Sequence, residues 1–156
     1  MITYIRGELV AIEEDKVIVD VNGVGYGIFM PGTAMNYLPP MGEEVKLHTY
    51  MNVREDAITL FGFASRDEKS TFLKLISVSG IGGKMAVTML SSMPYNDLID
   101  AIVTGNIRAL SSVKGLGKKT AERVIVELKN SFDDLQLSML APNREIRTSS
   151  SIEEAI

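Results

Sequence analysis

The chain has 156 residues, with no cysteine, no tryptophan and a single histidine. Without cysteine there is no disulfide framework and no thiolate metal site, and a reducing compartment is compatible with that lack. One histidine, His48, cannot form a histidine metal cluster. No apolar run approaches the ~20 residues of a membrane span. The opening MITYIRGELVAIEED has no long apolar run behind a basic region, so it does not read as a signal peptide. The expectation is a soluble, cytoplasmic protein with no membrane partner. Aromatic residues are also few, at 6% of the chain. Tyr4, Tyr26, Phe29, Tyr37, Tyr50, Phe61 and Phe63 fall mainly in apolar strand-like stretches, which predicts core positions over a base-stacking platform.

Hydrophobic residues make up 46% of the sequence, enough for a buried core in one domain or two small ones. The net charge of −4 argues at first against a polyanionic partner. That average hides a segregation. Residues 1–63 carry 4 basic and 9 acidic side chains, net −5, and residues 132–156 carry 2 and 5, net −3. Residues 64–131 carry 10 basic and 6 acidic, net +4, and form the only basic segment of the chain.

Within that segment the same phrase is written twice. SVSGIGGKMA (residues 77–86) and SVKGLGKKTA (residues 112–121) share Ser, Val, Gly, Gly, Lys and Ala at the same six of ten positions. In Gly-apolar-Gly the glycines let a helix stop and reverse, while the middle residue, Ile81 or Leu116, can turn inward as an anchor. The next helix then begins beside the second glycine, and its unpaired N–H groups suit an anion such as a phosphate diester. The predicted grips are Gly80, Gly82, Gly83 and Lys84 in the first copy, and Gly115, Gly117, Lys118, Lys119 and Thr120 in the second. Lysines there oppose the helix dipole, and an external anion is the simplest reason to tolerate that twice. A single Gly-apolar-Gly would more often be a plain helix connection. Duplication, the matched lysine and the basic setting favour phosphate. Two such grips could hold a duplex from both sides of a groove and position it without reading sequence.

Other phosphate motifs fail. A P-loop needs glycine five residues before Gly117-Lys118 and Ser or Thr after it, but Ser112 and Lys119 stand there. The dinucleotide fingerprint needs a third Gly or Ala where Met85 and Thr120 stand. No cofactor and no metal is implied. Glu13-Glu14-Asp15 and Asp133-Asp134 read as exposed turn or helix charge.

Periodicity places these motifs. Residues 1–63 read as five short strands, with Asn22-Gly23 as a two-residue hairpin turn and a small helix over residues 31–38, ended by Pro39-Pro40. That pattern predicts an OB-type Greek-key β-barrel. From residue 64 the period becomes helical. Ser65 and Glu68 make a capping box that opens a helix to about Val78. Further helices are expected from Lys84 to Ser92, from Pro94 to Gly105, over IRALSSV, and from Lys118 with Ala121, Val124, Ile125 and Leu128 on one stripe. Residues 64–140 thus read as an all-α tandem of helix–turn–helix units. Residues 141–151 read as a polar linker, and Ser150 to Glu153 as a second capping box with no helix body, which suggests a truncated third domain over residues 141–156. Glu55 and Asp56 fall at a hairpin tip between two strands. They read either as a solvated turn or as carboxylates that repel nearby phosphate.

Five stretches, MITYIRGEL, VNGVGY, VREDAITLFGF, LISVSGIGGKMA and VKGLGKKTAERVIVELK, together resemble the RuvA family, the DNA-binding subunits of the bacterial Holliday junction branch-migration complex. The resemblance spans about residues 1–140. It implies an N-terminal OB-type barrel (1–63), a tandem helix–hairpin–helix domain (64–140) and a mobile C-terminal domain beyond a linker. It further implies no enzymatic activity of its own, and a homotetramer, with an octamer as the alternative, on an open four-way DNA junction. Arg123 joins the phosphate-binding residues by the same resemblance, and Glu55 and Asp56 match an acidic pin at the junction centre. The implied partners are Holliday junction DNA, the RuvB ATPase through the C-terminal domain, and the RuvC resolvase. A chain ending before that domain is expected to bind junctions without recruiting RuvB. Two other readings use the same motifs: a generic duplex-binding helix–hairpin–helix module, or a piece of a DNA repair enzyme. A glycosylase of this kind would carry a catalytic Asp where Leu137 stands.

Overall fold

The computed structural model describes residues 1–132. The predicted linker and second capping box, together with Asp133, Asp134 and Leu137, lie outside the described residues. The described chain forms two compact units, Met1–Lys69 and the segment from Ser70 onward.

In the first unit, alternating apolar residues make strands with one inward face. They are β1 (Tyr4–Ile12), β2 (Lys16–Val21), β3 (Val24–Phe29), β4 (Glu44–Val53) and β5 (Ile58–Phe63). Ile5, Leu9, Val17, Val19, Ile28, Val45, Leu47 and Leu60 are buried in one core, which the single turn α1 (Gly32–Met35) completes with Ala34 and Met30 precedes. Asn22 (φ 52°) and Gly23 (φ 89°) close the β2–β3 hairpin, and the Gly23 N–H donates to Asp20 Oδ1 at 2.9 Å. The strands close into a barrel in the order β1-β2-β3-β5-β4. All its pairings are antiparallel except β3 with β5, where Ile28 faces Leu60 and Phe29 faces Phe61 in parallel. This is the five-stranded OB-type barrel expected from the strand count.

Two expectations need correction. The helix predicted over residues 31–38 is a single α-turn ending at Met35. Beyond it the Tyr37 and Leu38 N–H groups donate to the Ala34 and Met35 carbonyls at 3.1 Å as tighter turns, and Pro39 keeps Leu38 itself out of the helix. Tyr4 and Tyr37, expected in the core, are more than half exposed. In β1 the inward positions are Ile5 and Leu9, so Tyr4 points outward, where the Lys46 ammonium sits 4.8 Å from its ring centre. Phe61 and Phe63 are buried as expected.

The capping box forms as its spacing predicts. Helix α2 (Arg66–Ile76) opens with the Glu68 N–H donating to Ser65 Oγ at 3.2 Å, while the Ala64 N–H donates to Glu68 Oε1 at 2.9 Å. Both side chains are buried. Burial pushes the Glu68 carboxyl up from 4.5 to about 7, against the opposing pull of the Ala64 N–H. The folded chain therefore holds this proton more tightly than the unfolded chain. The resulting stability is complete below pH 4.5 and is lost as pH rises to about 7. Glu68→Gln keeps an acceptor for Ala64 without the buried charge. In thermal melts its stability relative to the parent is expected to improve from pH 5 to pH 8, by up to about 3 kcal/mol. A difference that does not change with pH would mean that Glu68 is not the titrating group.

The second unit continues with α3 (Gly83–Ser92), α4 (Tyr95–Val103), α5 (Ile107–Ser111) and α6 (Lys118–Leu128). Its interior is mainly apolar, with the buried Thr71 as its polar member: Phe72 and Leu75 of α2, Met89 and Leu90 of α3, Leu98, Ile99 and Ile102 of α4, Leu110, and Val124 and Leu128 of α6. Of the stripe expected on the last helix, Ala121, Val124 and Leu128 are buried, and Ile125 is half-buried at its edge. Helix α2 ends two residues before the expected Val78, and α3 begins one residue before Lys84.

Candidate nucleic-acid interface

Five of the six positions shared by the two phrases do the same structural job in both copies. The Ser77 hydroxyl donates to the Lys74 carbonyl at 2.6 Å, and the Ser112 hydroxyl donates to the Ala109 carbonyl at 2.6 Å, so each stops its helix. Val78 and Val113 are buried, and their backbone N–H groups donate to Leu75 and Leu110 at 3.1 Å. Gly80 (φ 95°) and Gly115 (φ 86°) take the left-handed backbone that any side chain would strain. Ile81 and Leu116 then turn inward, each 5% exposed, as the anchors the sequence suggests. Gly82 and Gly117 are the extended N-caps of α3 and α6, and the first helical bonds run from Ala86 to Gly82 (3.0 Å) and from Ala121 to Gly117 (2.9 Å). Ala86 and Ala121 are fully buried, as close packing of a new helix on its partner requires.

A glycine N-cap has no side chain to accept from the first-turn N–H groups. Nor does either helix have an acidic residue in its first turn, whereas α2 and α4 carry Asp67, Glu68 and Asp97 there. The positive ends of α3 and α6 thus lack the internal compensation their neighbours have. Gly80, Gly82, Lys84, Gly115, Gly117, Lys118 and Lys119 are exposed around them, and Gly83 and Thr120 are half-exposed. The second hairpin is the more cationic, with exposed Lys114, Lys118 and Lys119 where the first has Ser79, Gly83 and Lys84.

The two hairpins also meet each other, which no repeat in a sequence can announce. A Cβ built on Gly115 would lie 3.1 Å from Met85 Cε, and one on Gly80 would lie 3.9 Å from Thr120 Cγ2. Met85 and Thr120 are the same position of the repeat, as are Gly80 and Gly115, so the contacts are reciprocal and the hairpins are related by an approximate two-fold axis. Arg123 adds a bond across that axis, Nη1 donating to the Ser79 carbonyl at 3.5 Å, and its Nε lies 4.0 Å from Glu127 Oε2. The guanidinium remains half-exposed beside the first hairpin. Sequence reasoning misses Met85, Ser79 and the two serine hydroxyls. Only the identity of Ser77 with Ser112 points to the hydroxyls.

In the first unit, Glu55 and Asp56 occupy the tip of the β4–β5 hairpin, closed by the Arg54 N–H donating to the Ala57 carbonyl at 2.9 Å. All four tip residues are exposed. The hairpin extends beyond the barrel, since its last ladder pair, Val53 with Ile58, is also exposed.

Comparison with known proteins matches both units. The family model described as "RuvA N terminal domain" matches residues 1–62, and "SAM-like Helix-hairpin-helix tandem" matches residues 72–130. A Holliday junction branch migration complex subunit RuvA from Lachnospira eligens is 42% identical over 158 residues, covering 100% of this chain and 76% of that protein. The protein of the same name from Caldanaerobacter subterraneus subsp. tengcongensis is 48% identical over 130 residues, 83% of this chain and 70% of its own. That from Pseudomonas fluorescens is 43% identical over 148 residues, 92% of this chain and 73% of its own.

Proposed function

The chain belongs to the RuvA family, and we propose that it is a junction-binding subunit that grips DNA backbones through its paired hairpins. The observation that carries this reading is the reciprocal pair, two congruent helix N-termini with glycine caps and exposed lysines on one small unit. Two grips related by a two-fold axis match the local two-fold symmetry of a duplex, whose strands run antiparallel. Gly80, Gly82, Gly83 and Lys84 would hold one strand, and Gly115, Gly117, Lys118, Lys119 and Thr120 the other, with Arg123 between them. Such contacts bind any sequence and weaken with salt.

Preference for a junction then comes from assembly and from the acidic tip. A homotetramer would bring four such units to four arms, and Glu55 and Asp56 would face the crossover, where carboxylates disfavour close packing of phosphates. Binding and shaping DNA is the whole of its chemistry. Branch migration in recombination and repair is driven by the RuvB ATPase in the cytoplasm.

The test is a gel-shift titration of a four-way junction against linear duplex of the same arm sequences, over a salt series with competitor DNA. Strong, sequence-independent preference for the junction is the expected result. Equal affinity for both would reduce the protein to a generic duplex binder. For the acidic tip, Glu55→Gln with Asp56→Asn removes two negative charges near phosphate. Junction binding is expected to tighten, by roughly three- to tenfold at low salt and less at high salt. Unchanged or weaker binding would remove the repulsion mechanism.

A further inference from the structure

The barrel closes around β1 unevenly. Strand β4 pairs with β1 from Tyr4 to Glu8, but β2 joins the other side of β1 only from Glu8 onward. The Thr49 N–H donates to the Thr3 carbonyl at 2.9 Å, and the Leu9 N–H donates to the Glu43 carbonyl at 3.0 Å. Such bonds fall on alternate residues of an antiparallel pair, so Thr3, Ile5, Gly7 and Leu9 turn their backbone to β4. Tyr4 and Arg6 turn theirs the other way, toward the side that β2 leaves open. Among the described residues no strand pairs with that side of Tyr4 and Arg6. The open edge borders a cleft of about 370 Å³, lined by Ile2, Tyr4, Ile5, Arg6, Val21 and Tyr26. Ile5 belongs to the barrel core, and Ile2, Val21 and Tyr26 pack against that core, so the floor is apolar. The outer rim is cationic. Arg6 stands directly opposite Lys46 on the outward face, and the Lys46 ammonium sits 4.8 Å from the Tyr4 ring centre. Facing cations are unfavourable on a bare sheet, and an acidic group between them removes that cost.

We propose that this edge binds an extended acidic peptide of a partner protein, which adds to β1 as a short extra strand over Tyr4 and Arg6. The site lies within the barrel and is independent of the junction reading above. The open backbone fixes the shape of the occupant. N–H and C=O groups alternating at strand spacing are matched by another strand, whereas a phosphate backbone offers acceptors and no donors for the carbonyls. The pleat then fixes the sequence pattern. On the inner side the added strand meets Ile2, Ile5 and Val21, and on the outer side it meets Arg6 and Lys46. Alternation of aliphatic and acidic residues satisfies both. Charge further separates a short peptide from DNA. Two residues along β1 from Arg6, Glu8 faces Glu44 on one side and Asp20 on the other. Those carboxylates repel a long polyanion that runs past them, and spare a strand that ends beside Arg6.

The probe is an end-blocked peptide of alternating glutamate and valine, titrated against the full chain while amide hydrogen exchange is followed by NMR. Its controls are the same peptide with lysine for glutamate, and one with its backbone amides N-methylated. Two variants of the full chain complete the set, Arg6→Glu with Lys46→Glu, and Arg6→Lys alone. Slowed exchange is expected at the Tyr4 and Arg6 amides, and little change at Ile5 and Gly7, whose N–H groups already bond β4. Affinity is expected to fall by roughly tenfold or more with either control peptide and with the double glutamate variant. Arg6→Lys should retain it. Equal binding of the lysine peptide would overturn the acidic class, and equal binding of the N-methylated peptide would overturn strand addition. No protection at peptide concentrations on the order of 1 mM would overturn the site itself and leave Arg6 as a charge that blunts an open edge. Two further results would replace the occupant and so overturn the proposal. One is protection of the same amides without peptide that fades on dilution as the mass in solution falls, which means a second copy. The other is protection by duplex DNA and not by peptide.

Discussion

Replacing Lys84 and Lys119 together by alanine is expected to weaken binding to junction and duplex alike, by roughly 10- to 100-fold at moderate salt. The two lysines hold the same position of the repeat and sit in the first turns of α3 and α6, beside glycine caps. Each single replacement removes one grip of a pair related by a two-fold axis, and the double removes the charged element of both. Because the lysines neutralise phosphate, the slope of log affinity against log salt should fall by roughly 0.9 for each phosphate left without its cation. The loss should not depend on arm sequence. Lys16 supplies the control. It lies in the barrel beside Glu13 at 3.5 Å and over Phe29, and its replacement by alanine should leave DNA affinity unchanged. A fall in affinity with an unchanged salt slope would mean that the lysines support the hairpins and do not touch phosphate.

The second large effect concerns stability. Gly7 lies in β1 between the inward residues Ile5 and Leu9, paired with Val45 of β4. A Cβ there would run into the Asp20 carbonyl oxygen of β2 and lie 2.8 Å from Val21 Cγ2. The oxygen belongs to the backbone of a paired strand, so it cannot rotate aside as a side chain would. Relief requires β2 to move away from β1 in a closed barrel, where every strand has two neighbours. Gly7→Ala is expected to cost about 3 kcal/mol or more and to lower the melting temperature by on the order of 10 °C. Gly25→Ala is the internal comparison. Its Cβ would meet only Ile18 Cγ2 at 3.5 Å, an ordinary contact, so its melting should stay close to the parent's. If circular dichroism melts of the two variants coincide, close approach of the strands is not what reserves position 7 for glycine.

Much of this protein is legible in its residues alone. Strand alternation, the Asn22-Gly23 turn and the Ser65–Glu68 box are settled by residues within four positions of one another. The repeated phrase belongs with them. A serine that stops a helix, a glycine at positive φ and a glycine N-cap are all local requirements, so six shared letters carry the hairpin twice. The charge segregation is likewise visible, because it needs only counting.

Other features depend on which distant residues the fold brings together. The parallel pairing of β3 with β5 closes the barrel across more than thirty residues of sequence, and the approach of β2 to β1 reserves position 7 for glycine through Asp20, thirteen residues away. Tyr4 reads as apolar and lies outside because the pleat gives it the outward face of β1, with Arg6 and Glu8. Val53 and Ile58 read as ordinary strand residues, and only the length of the β4–β5 ladder relative to the barrel exposes them. The reciprocal contacts of Met85 with Gly115 and Thr120 with Gly80 turn two similar phrases into one symmetric surface. The sequence by itself determined the local pieces and their charge, because backbone preference and capping act over a few residues. Only the tertiary structure decided which faces meet and which stay open, because burial is set by partners far along the chain.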